Sequence, residues 1–383
     1  MRPVIKRITV IGAGHGGKAM AAHLSLMGAK VTMYNRTWKH IEAIADRGGV
    51  LVKSNEDVNG FGELAKVTSD IEEAVKGSQL IMLVVPAFAH AELARKMSEF
   101  LKPGQIIVLN PGRTLGALEF RKVLIENNCS ANVIVAEAQT FLYASRSSGP
   151  AEAFIHRIKE AVPLAAFPAK DTQQVLDVLR PYFPQFINGK TVLHTGLNNI
   201  GAIFHPTILM YNLGRLEATG GDFQFYVDGV TPSVAKLMEA VDRERVRIGR
   251  MLGIETITAK EWLKLAYNAD GDNLYESIHN QEGYRGIKAP STVNHRYINE
   301  DIPMSLVPMA SLGDMFGIRV RGMASIIRQA CIIRDKDVWA IGRSVESLGL
   351  SHLRAKNLLS LVADGNLEER NINGSEWLQA FAI

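Results

Sequence analysis

The sequence contains little cysteine, and this scarcity excludes two classes of protein. Only Cys129 and Cys331 are present among 383 residues. They lie too far apart in the chain for a disulfide framework, and neither stands in the short spacing of a zinc site. We therefore expect two reduced thiols in a cytoplasmic protein that has no metal site.

The sequence also lacks a strong charge excess and a long apolar run. Its formal net charge is +4, and the basic residues are scattered rather than clustered, which argues against nucleic acid as a partner. No apolar stretch reaches the ~20 residues that a membrane-spanning helix needs. The short apolar run near the N-terminus leads straight into a glycine-rich motif, so we interpret it as a strand and not as a signal peptide.

What is present is the composition of a globular protein, with 47% hydrophobic residues in a chain long enough for two domains. From residue 1 to about 190, short β-branched segments such as 30–34 and 79–85 alternate with helical patterns. This alternation predicts an α/β domain with a doubly wound parallel sheet of the Rossmann type. From 191 to 383 helical periodicity prevails, which predicts a mostly α-helical second domain.

Three local expectations accompany this division. Residues 50–52 and 65–67 are expected to pair as a small hairpin across a polar loop. Residues 198–219 are expected to form one long helix, kinked at Pro206. Residues 284–308 are rich in proline and glycine, and we expect an ordered but irregular segment there.

The glycine-rich motif follows the first predicted strand directly and opens a helix. Gly12, Gly14 and Gly17 give the spacing G-x-G-x-x-G, which in this context is typical of dinucleotide binding. The first glycine permits a tight turn, the second lets the backbone approach a pyrophosphate, and the third lets helix and strand pack closely. His15 and Gly16 lie within the same loop, and we expect both to line the cofactor site, with His15 near a phosphate.

The end of the second strand indicates which nicotinamide cofactor is bound. NAD sites usually place an acid there for the ribose 2′-hydroxyl, but this sequence has Asn35, Arg36 and Thr37. Because Arg36 could pair with a 2′-phosphate, we predict NADPH as the preferred cofactor; if Arg36 is only a solvated charge, NAD is accepted as well. Pro86 and Pro111 follow later strands and are expected either beneath the nicotinamide, at the carboxyl edge of the sheet, or in ordinary turns.

One of the ten histidines lies inside the predicted long helix of the second half. A histidine in an apolar helix is more often a core residue, so His205 would need a polar partner to act in catalysis. Asn198 is seven positions earlier, and on one helix the two would project nearly the same way; Asn198 is equally well explained as an N-cap. Gly201, one turn before His205, would leave open space on that face. The charged loop that follows residue 283 offers acids and cations as partners.

Taken in order, these segments resemble opine dehydrogenases of the octopine/nopaline dehydrogenase type. The resemblance extends along nearly the whole chain. It is carried by the glycine motif and by residues 83–87, 109–112, 116–122, 204–206, 225–226, 229–234, 284–286, 296–301 and 306–308.

The resemblance implies an enzyme that condenses an L-amino acid with a 2-oxo acid, typically pyruvate, and reduces the imine with nicotinamide hydride. The catalytic histidine of the family matches His205, its partner aspartate matches Asp301, and its substrate-binding arginine matches Arg296. Asn198 and Tyr284 are expected to contact substrate. A bacterial member of the family has aspartate at the end of the second strand, where this chain has an asparagine; this departure favours NADPH.

A homodimer is a further expectation, although the sequence does not determine the oligomeric state.

Two alternative functions stay open. An NADP-dependent 2-oxo-acid or hydroxy-acid reductase of the ketopantoate or 6-phosphogluconate dehydrogenase type would need no amine. Such enzymes generally use a lysine in the first long helix, and residues 198–219 contain none. A nicotinamide-binding sensor would show no turnover at all. Assays with and without the amino acid discriminate between these functions.

Overall fold

The computed structural model describes residues 5–367 and 376–381. The described chain divides into two compact units: unit 1 comprises residues 5–195, 360–367 and 376–381, and unit 2 comprises residues 196–359. Both cysteines are free thiols. Within the described residues, no helix combines the length and the apolar character needed to cross a bilayer.

The strands and helices are numbered in chain order. The strands are β1 (Arg7–Ile11), β2 (Lys30–Tyr34), β3 (Gly49–Ser54), β4 (Gly60–Glu63), β5 (Lys66–Thr68), β6 (Leu80–Leu83), β7 (Ile106–Leu109), β8 (Ile134–Ala138), β9 (Tyr143–Gly149), β10 (Glu152–Ile158), β11 (Val162–Phe167) and β12 (Phe186–Asn188). The helices are α1 (His15–Leu26), α2 (Glu42–Arg47), α3 (Ile71–Val75), α4 (His90–Met97), α5 (Gly116–Glu126), α6 (Thr172–Leu179), α7 (Val192–Leu197), α8 (Gly201–Met210), α9 (Leu213–Thr219), α10 (Pro232–Met251), α11 (Ala259–Tyr267), α12 (Leu274–His279), α13 (Arg296–Asn299), α14 (Val307–Met315), α15 (Arg321–Arg334), α16 (Val338–Ile341) and α17 (Ala355–Asp364).

The main sheet of unit 1 confirms the predicted fold class. Its strand order is β12-β11-β8-β7-β6-β1-β2-β5, and every pair is parallel except β8 with β11. Strands β6 and β7 are apolar and fully buried, as expected of parallel strands covered on both faces. From β1 the chain continues to β2 on one side, and β6 pairs on the other. This reversal of strand order is the place where open α/β sheets bind ligands.

A second, smaller sheet of order β4-β3-β10-β9 was not predicted. Helix α1 packs against strands of both sheets, so its residues 17–24 are buried without interruption. The predicted hairpin of residues 50–52 with 65–67 was wrong in its second strand. Strand β3 pairs with β4 instead, and residues 66–68 form β5 beside β2. The side chain of Asn59 accepts a hydrogen bond from the Ser54 N–H, which closes the turn early and starts the return strand at Gly60.

His23 on α1 is buried among aromatic rings of unit 1. Its Nδ1 lies 2.9 Å from the hydroxyl of Tyr143, and its ring meets the edge of Phe183. Burial lowers the pKa of His23 from its ordinary value to about 4. The folded protein therefore holds this imidazole neutral under conditions in which an unfolded chain would protonate it.

We expect His23 to make folding less stable in acid. Because its folded-state pKa lies below that of the unfolded chain, the stability is fully present above pH ~6.5 and is lost as the pH falls towards 4, by at most ~3 kcal/mol. The measurement is urea unfolding of wild type and His23→Gln between pH 7.5 and 4.5. The exposed His352 supplies the control variant, His352→Gln. Equal pH slopes for wild type and His23→Gln would contradict the prediction.

In unit 2 the single long helix predicted for residues 198–219 was wrong. The chain forms α7, a break at residues 198–200, then α8 and α9, with Pro206 inside α8. The break has a tertiary cause, because the amide of Asn198 donates to the carbonyl of Glu255 and that of Asn199 donates to the hydroxyl of Ser305. Asparagine has a low helix propensity, so two consecutive asparagines gain little from continuing the helix and these remote contacts prevail.

The segment 284–308 is irregular only in its first half. From residue 296 it is helical, with α13, a π-helical stretch over Ile302–Leu306, and α14. Pro303 and Pro308 stand in the first turns of these last two elements. Pro303 is tolerated because it lies in the first turn of this run, where an N–H has no partner within the helix. Pro308 directly follows the π-helical stretch, at the point where the chain returns to the α-helical form.

Candidate functional site

The glycine loop of unit 1 is built by two close backbone approaches. Gly12 has φ +108°, and a Cβ on it would lie 2.3 Å from the carbonyl oxygen of Val84. A Cβ on Gly17 would lie 1.8 Å from the carbonyl oxygen of Gly12. Gly14, in contrast, has nothing within 4 Å of its Cβ position. The first and third glycines are therefore required for packing, whereas the flank of the second is open to a ligand.

The N-terminus of α1 has the electrostatic character of an anion site. Its N-cap Gly14 provides no side-chain cap, and the first turn contains no acidic residue. Helix α5 differs, because the buried carboxylate of Glu137 accepts a hydrogen bond from the Ala117 N–H at 2.7 Å. A negative group therefore already occupies the start of α5, whereas α1 directs its N–H groups and the positive end of its dipole outward.

His15 and Gly16 connect this loop to the smaller sheet. The Ser147 N–H donates to Nδ1 of His15 at 2.9 Å, so the neutral ring carries its proton on Nε2 and keeps a donor there. Gly16 lacks a side chain for a packing reason, since a Cβ would lie 2.5 Å from the ring of Phe141.

The residues after β2 take two different roles. Asn35 braces the glycine loop, because its Oδ1 accepts a hydrogen bond from the Ala13 N–H at 3.3 Å and its amide donates to the carbonyl of Thr37. Arg36 is 72% exposed, and its guanidinium lies 3.6 Å from the carboxylate of Glu92. A hydrogen bond from Lys96 lowers the pKa of Glu92, which keeps this carboxylate charged. Arg36 is thus a solvent-facing cation with an acidic neighbour.

Pro86 and Pro111 lie at the predicted edge of the sheet. They follow β6 and β7, which pair with each other, and β6 also pairs with the glycine-loop strand β1. Pro86 is exposed and Pro111 is half-buried. All three loops therefore start at the carboxyl edge of neighbouring parallel strands.

In unit 2 the structure brings His205 and Asp301 into contact across 96 positions of sequence. Nδ1 of His205 lies 2.9 Å from Oδ2 of Asp301. The imidazole is 16% exposed and the carboxylate is fully buried. The space predicted above Gly201 is filled by the imidazole, since a Cβ on Gly201 would lie 3.3 Å from Cε1 of His205.

A third residue at this pair was missed by the sequence analysis. The ring of Tyr297 stacks on the imidazole of His205, with centroids 4.1 Å apart and planes inclined by 16°. Tyr297 and Asp301 are four positions apart, close to one helical turn, which brings both to the same neighbour. That periodicity was the available signal, but the segment was interpreted as irregular.

The structure places Arg296 beside the Tyr297 ring and Asn198 before the start of α8. Arg296 is exposed, and its guanidinium carbon lies 5.9 Å from the centre of the Tyr297 ring. Asn198 lies before α8, so the prediction that it shares a helical face with His205 was wrong. The N-cap of α8 is Ile200, so the alternative interpretation of Asn198 as the N-cap was wrong as well.

Tyr284 is connected to the His205–Asp301 pair through a series of aromatic rings. It is buried and stacks on Tyr226 at 3.9 Å, and burial raises its pKa well above the ordinary value. Phe225 continues the cluster, contacting Tyr226 on one side and Tyr297 on the other. Among residues 5–367 and 376–381, no group of three or more His, Cys, Asp or Glu side chains is placed to hold a metal ion.

Comparison with known proteins finds one family model for the stretch with the glycine loop and another for the stretch with the His205–Asp301 pair. Residues 7–133 match the family model of the NAD-dependent glycerol-3-phosphate dehydrogenase N-terminus. Residues 188–334 match that of the NAD/NADP octopine/nopaline dehydrogenase alpha-helical domain. The two matches fall on the stretches that contain the glycine loop and the His205–Asp301 pair.

Individual relatives cover almost the whole chain. An opine dehydrogenase of Arthrobacter sp. (strain 1C) is 36% identical over 93% of this chain and 99% of its own length. The structure of octopine dehydrogenase with NADH and L-arginine superposes with a TM-score of 0.79 at 20% identity, over 95% of this chain and 99% of the other. That of NADP⁺-bound yersinopine dehydrogenase gives 0.70 at 14% identity, over 94% and 98%. The chain therefore belongs to the opine dehydrogenase family, the NAD(P)-dependent oxidoreductases that act on CH–NH bonds.

Proposed function

We propose that this enzyme condenses an L-amino acid with pyruvate and reduces the resulting imine with NADPH, using His205 as the proton-transfer group. Reductive condensation is the reaction of the family; the residue roles and the cofactor preference are our proposal. The observation that carries it is the contact between His205 and the buried Asp301, 2.9 Å apart.

The pair is suited to proton transfer at a reacting nitrogen or oxygen. When bound, the nicotinamide supplies the hydride, and the heteroatom beside the attacked carbon needs a proton or a positive charge. Because Asp301 engages Nδ1 of His205, Nε2 is the nitrogen that can face substrate. The buried carboxylate holds the proton of the neutral ring on Nδ1 and stabilises the positive charge when Nε2 also takes up a proton. His205 therefore donates a proton in reduction and accepts one in the reverse reaction.

Arg296 is proposed to bind a substrate carboxylate. Arg296 is the first residue of α13, the turn that also contains Tyr297, and its side chain is exposed. The planar guanidinium can hold a carboxylate through two parallel hydrogen bonds. Roles for Asn198 and Tyr284 in substrate binding stay predictions.

The residues of unit 1 fit a dinucleotide phosphate. The open flank of Gly14 and the uncapped α1 would receive the pyrophosphate, with Nε2 of His15 as a further donor. Position 35 holds an asparagine, so no carboxylate at the end of β2 would repel a 2′-phosphate. The exposed guanidinium of Arg36 could pair with that phosphate, and both features support NADPH over NADH. Glu92 opposes this preference, because its carboxylate competes with a 2′-phosphate for Arg36.

Arg36 and Glu92 should therefore shift cofactor preference in opposite directions. We expect Arg36→Ala to raise the KM for NADPH about tenfold, the usual scale of a lost charge-assisted contact, and to change the KM for NADH less than twofold. Glu92→Gln should lower the KM for NADPH. Steady-state kinetics with both cofactors at matched concentrations provide the measurement. A wild-type preference for NADH, or equal effects of Arg36→Ala on both cofactors, would defeat the NADPH proposal.

The function itself is tested by a substrate matrix. Amino acids of each side-chain class are combined with pyruvate and other 2-oxo acids while NADPH absorbance is followed, and each oxo acid is also assayed without an amine. Oxidation of NADPH that needs both substrates supports the proposal. Equal turnover without the amine identifies a 2-oxo-acid reductase, and no turnover with any pair identifies a cofactor-binding sensor.

We further propose that the enzyme acts in the cytoplasm, which its two free thiols support. The homodimer expected from the sequence analysis stays a prediction.

A further inference from the structure

The ring of Tyr297 covers one face of the imidazole to which proton transfer is assigned. The centroids of the Tyr297 and His205 rings are 4.1 Å apart, and the planes are inclined by 16°. Tyr297 belongs to the one-turn helix α13, and Asp301 follows it by four positions. One short segment thus supplies both the face contact and the hydrogen bond of His205.

Tyr297 is itself held by neighbouring rings. Phe225 lies 5.0 Å from it at a tilt of 34°, and His295 meets it edge-on at 4.4 Å. The side chain is half-buried. Because these contacts restrain the phenol ring from other sides, it provides a fixed surface for the imidazole.

Fixing the plane of His205 needs more than its hydrogen bond. A single bond between Nδ1 and Asp301 leaves the ring able to tilt about the line that joins the two atoms. The flat contact with Tyr297 and the close backbone of Gly201, whose Cβ position is 3.3 Å from Cε1, oppose that tilt. Proton transfer depends on such alignment, and a displacement of ~1 Å can cost about a hundredfold in rate.

We propose that Tyr297 is a positioning residue, whose aromatic face holds the imidazole of His205 in the plane that directs Nε2 at the substrate. The ring, and not the phenolic hydroxyl, performs this role. An aromatic face also attracts the imidazolium form once His205 is protonated. The inference rests on the proposed role of His205.

The test compares Tyr297→Leu with Tyr297→Phe, using the amino acid and oxo acid that give the highest wild-type turnover. We expect Tyr297→Leu to lower kcat about tenfold, while the KM for the oxo acid and the Kd for NADPH change less than about twofold. The deuterium isotope effect with NADPH labelled at the transferred hydride should rise, because the chemical step becomes more rate-limiting. Tyr297→Phe keeps the ring and should stay within about twofold of wild type in every parameter.

Tyr275 provides a matched control. Its ring also lies 4.1 Å from a histidine, His279, in the same unit, and Tyr275→Leu should leave kcat unchanged. If Tyr297→Leu does not fold, as judged by its Tm, Tyr297→Met is measured in its place with the same expectation.

Three outcomes would overturn the proposal. They are a Tyr297→Leu enzyme with wild-type kcat, a loss confined to KM, and a loss that Tyr297→Phe does not rescue. These results reject the positioning role alone, since the wild type must be active for them to be seen. A wild type that is inactive with every substrate pair rejects the proposed function instead.

Discussion

Replacing His205 with asparagine should lower turnover by roughly a hundredfold or more while the Kd for NADPH stays the same. The loss has the usual scale of a general acid–base group, 10²–10⁴-fold. His205 is 16% exposed and bound to a fully buried carboxylate, so the substitution removes the proton carrier of unit 2. The glycine loop belongs to unit 1, which is why cofactor binding should be spared.

The measurement pairs kcat with NADPH binding by fluorescence titration. His352→Asn, at an exposed histidine of the same unit, is the matched control and should behave as wild type. Asp301→Asn should also lower kcat, and the double variant should be little worse than His205→Asn alone, because residues that act as a unit are not additive. Turnover of His205→Asn within a fewfold of wild type would remove this residue from the mechanism.

A methyl group at Gly17 should damage folding, whereas one at Gly14 should damage cofactor binding. At Gly17 the new Cβ would lie 1.8 Å from the carbonyl oxygen of Gly12. Backbone must then move at the junction of β1 and α1, at a cost of about 3 kcal/mol or more on the scale of overpacked sites. We expect Gly17→Ala to show a strongly lowered Tm or to fail to accumulate in folded form.

Gly14→Ala is the matched variant within the same loop. Gly14 has φ −71° and open space around its Cβ position, so alanine fits the folded chain without strain. The methyl group would, however, occupy the flank through which a pyrophosphate reaches the N–H groups of α1. We expect a Tm close to wild type and a KM for NADPH raised about tenfold or more.

Thermal unfolding and cofactor kinetics on both variants decide between these effects. A wild-type Tm for Gly17→Ala would show that the close approach is not needed for folding. An unchanged KM for NADPH in Gly14→Ala would place the pyrophosphate away from this loop.

The sequence by itself determined the features that depend on neighbouring positions. The parallel α/β sheet followed from short apolar strands alternating with helices, because strand burial leaves its pattern in consecutive residues. The glycine loop was equally local, since Gly12, Gly14 and Gly17 all act within one strand–turn–helix unit. His205 and Asp301 were named together only through the family resemblance, as no spacing rule connects residues 96 positions apart.

Only the tertiary structure decided the features that depend on distant partners. The smaller sheet joins β3 to β10 about a hundred positions later, a pairing with no local signal. The helix containing His205 starts at Gly201 and not earlier, because the side chains of Asn198 and Asn199 bind groups remote in the chain. The stack of Tyr297 on His205 has the same origin. The physical reason is that a side chain takes the best partner the fold brings near. The four-residue spacing of Tyr297 and Asp301 indicates that the two share a neighbour, but not which distant residue that neighbour is.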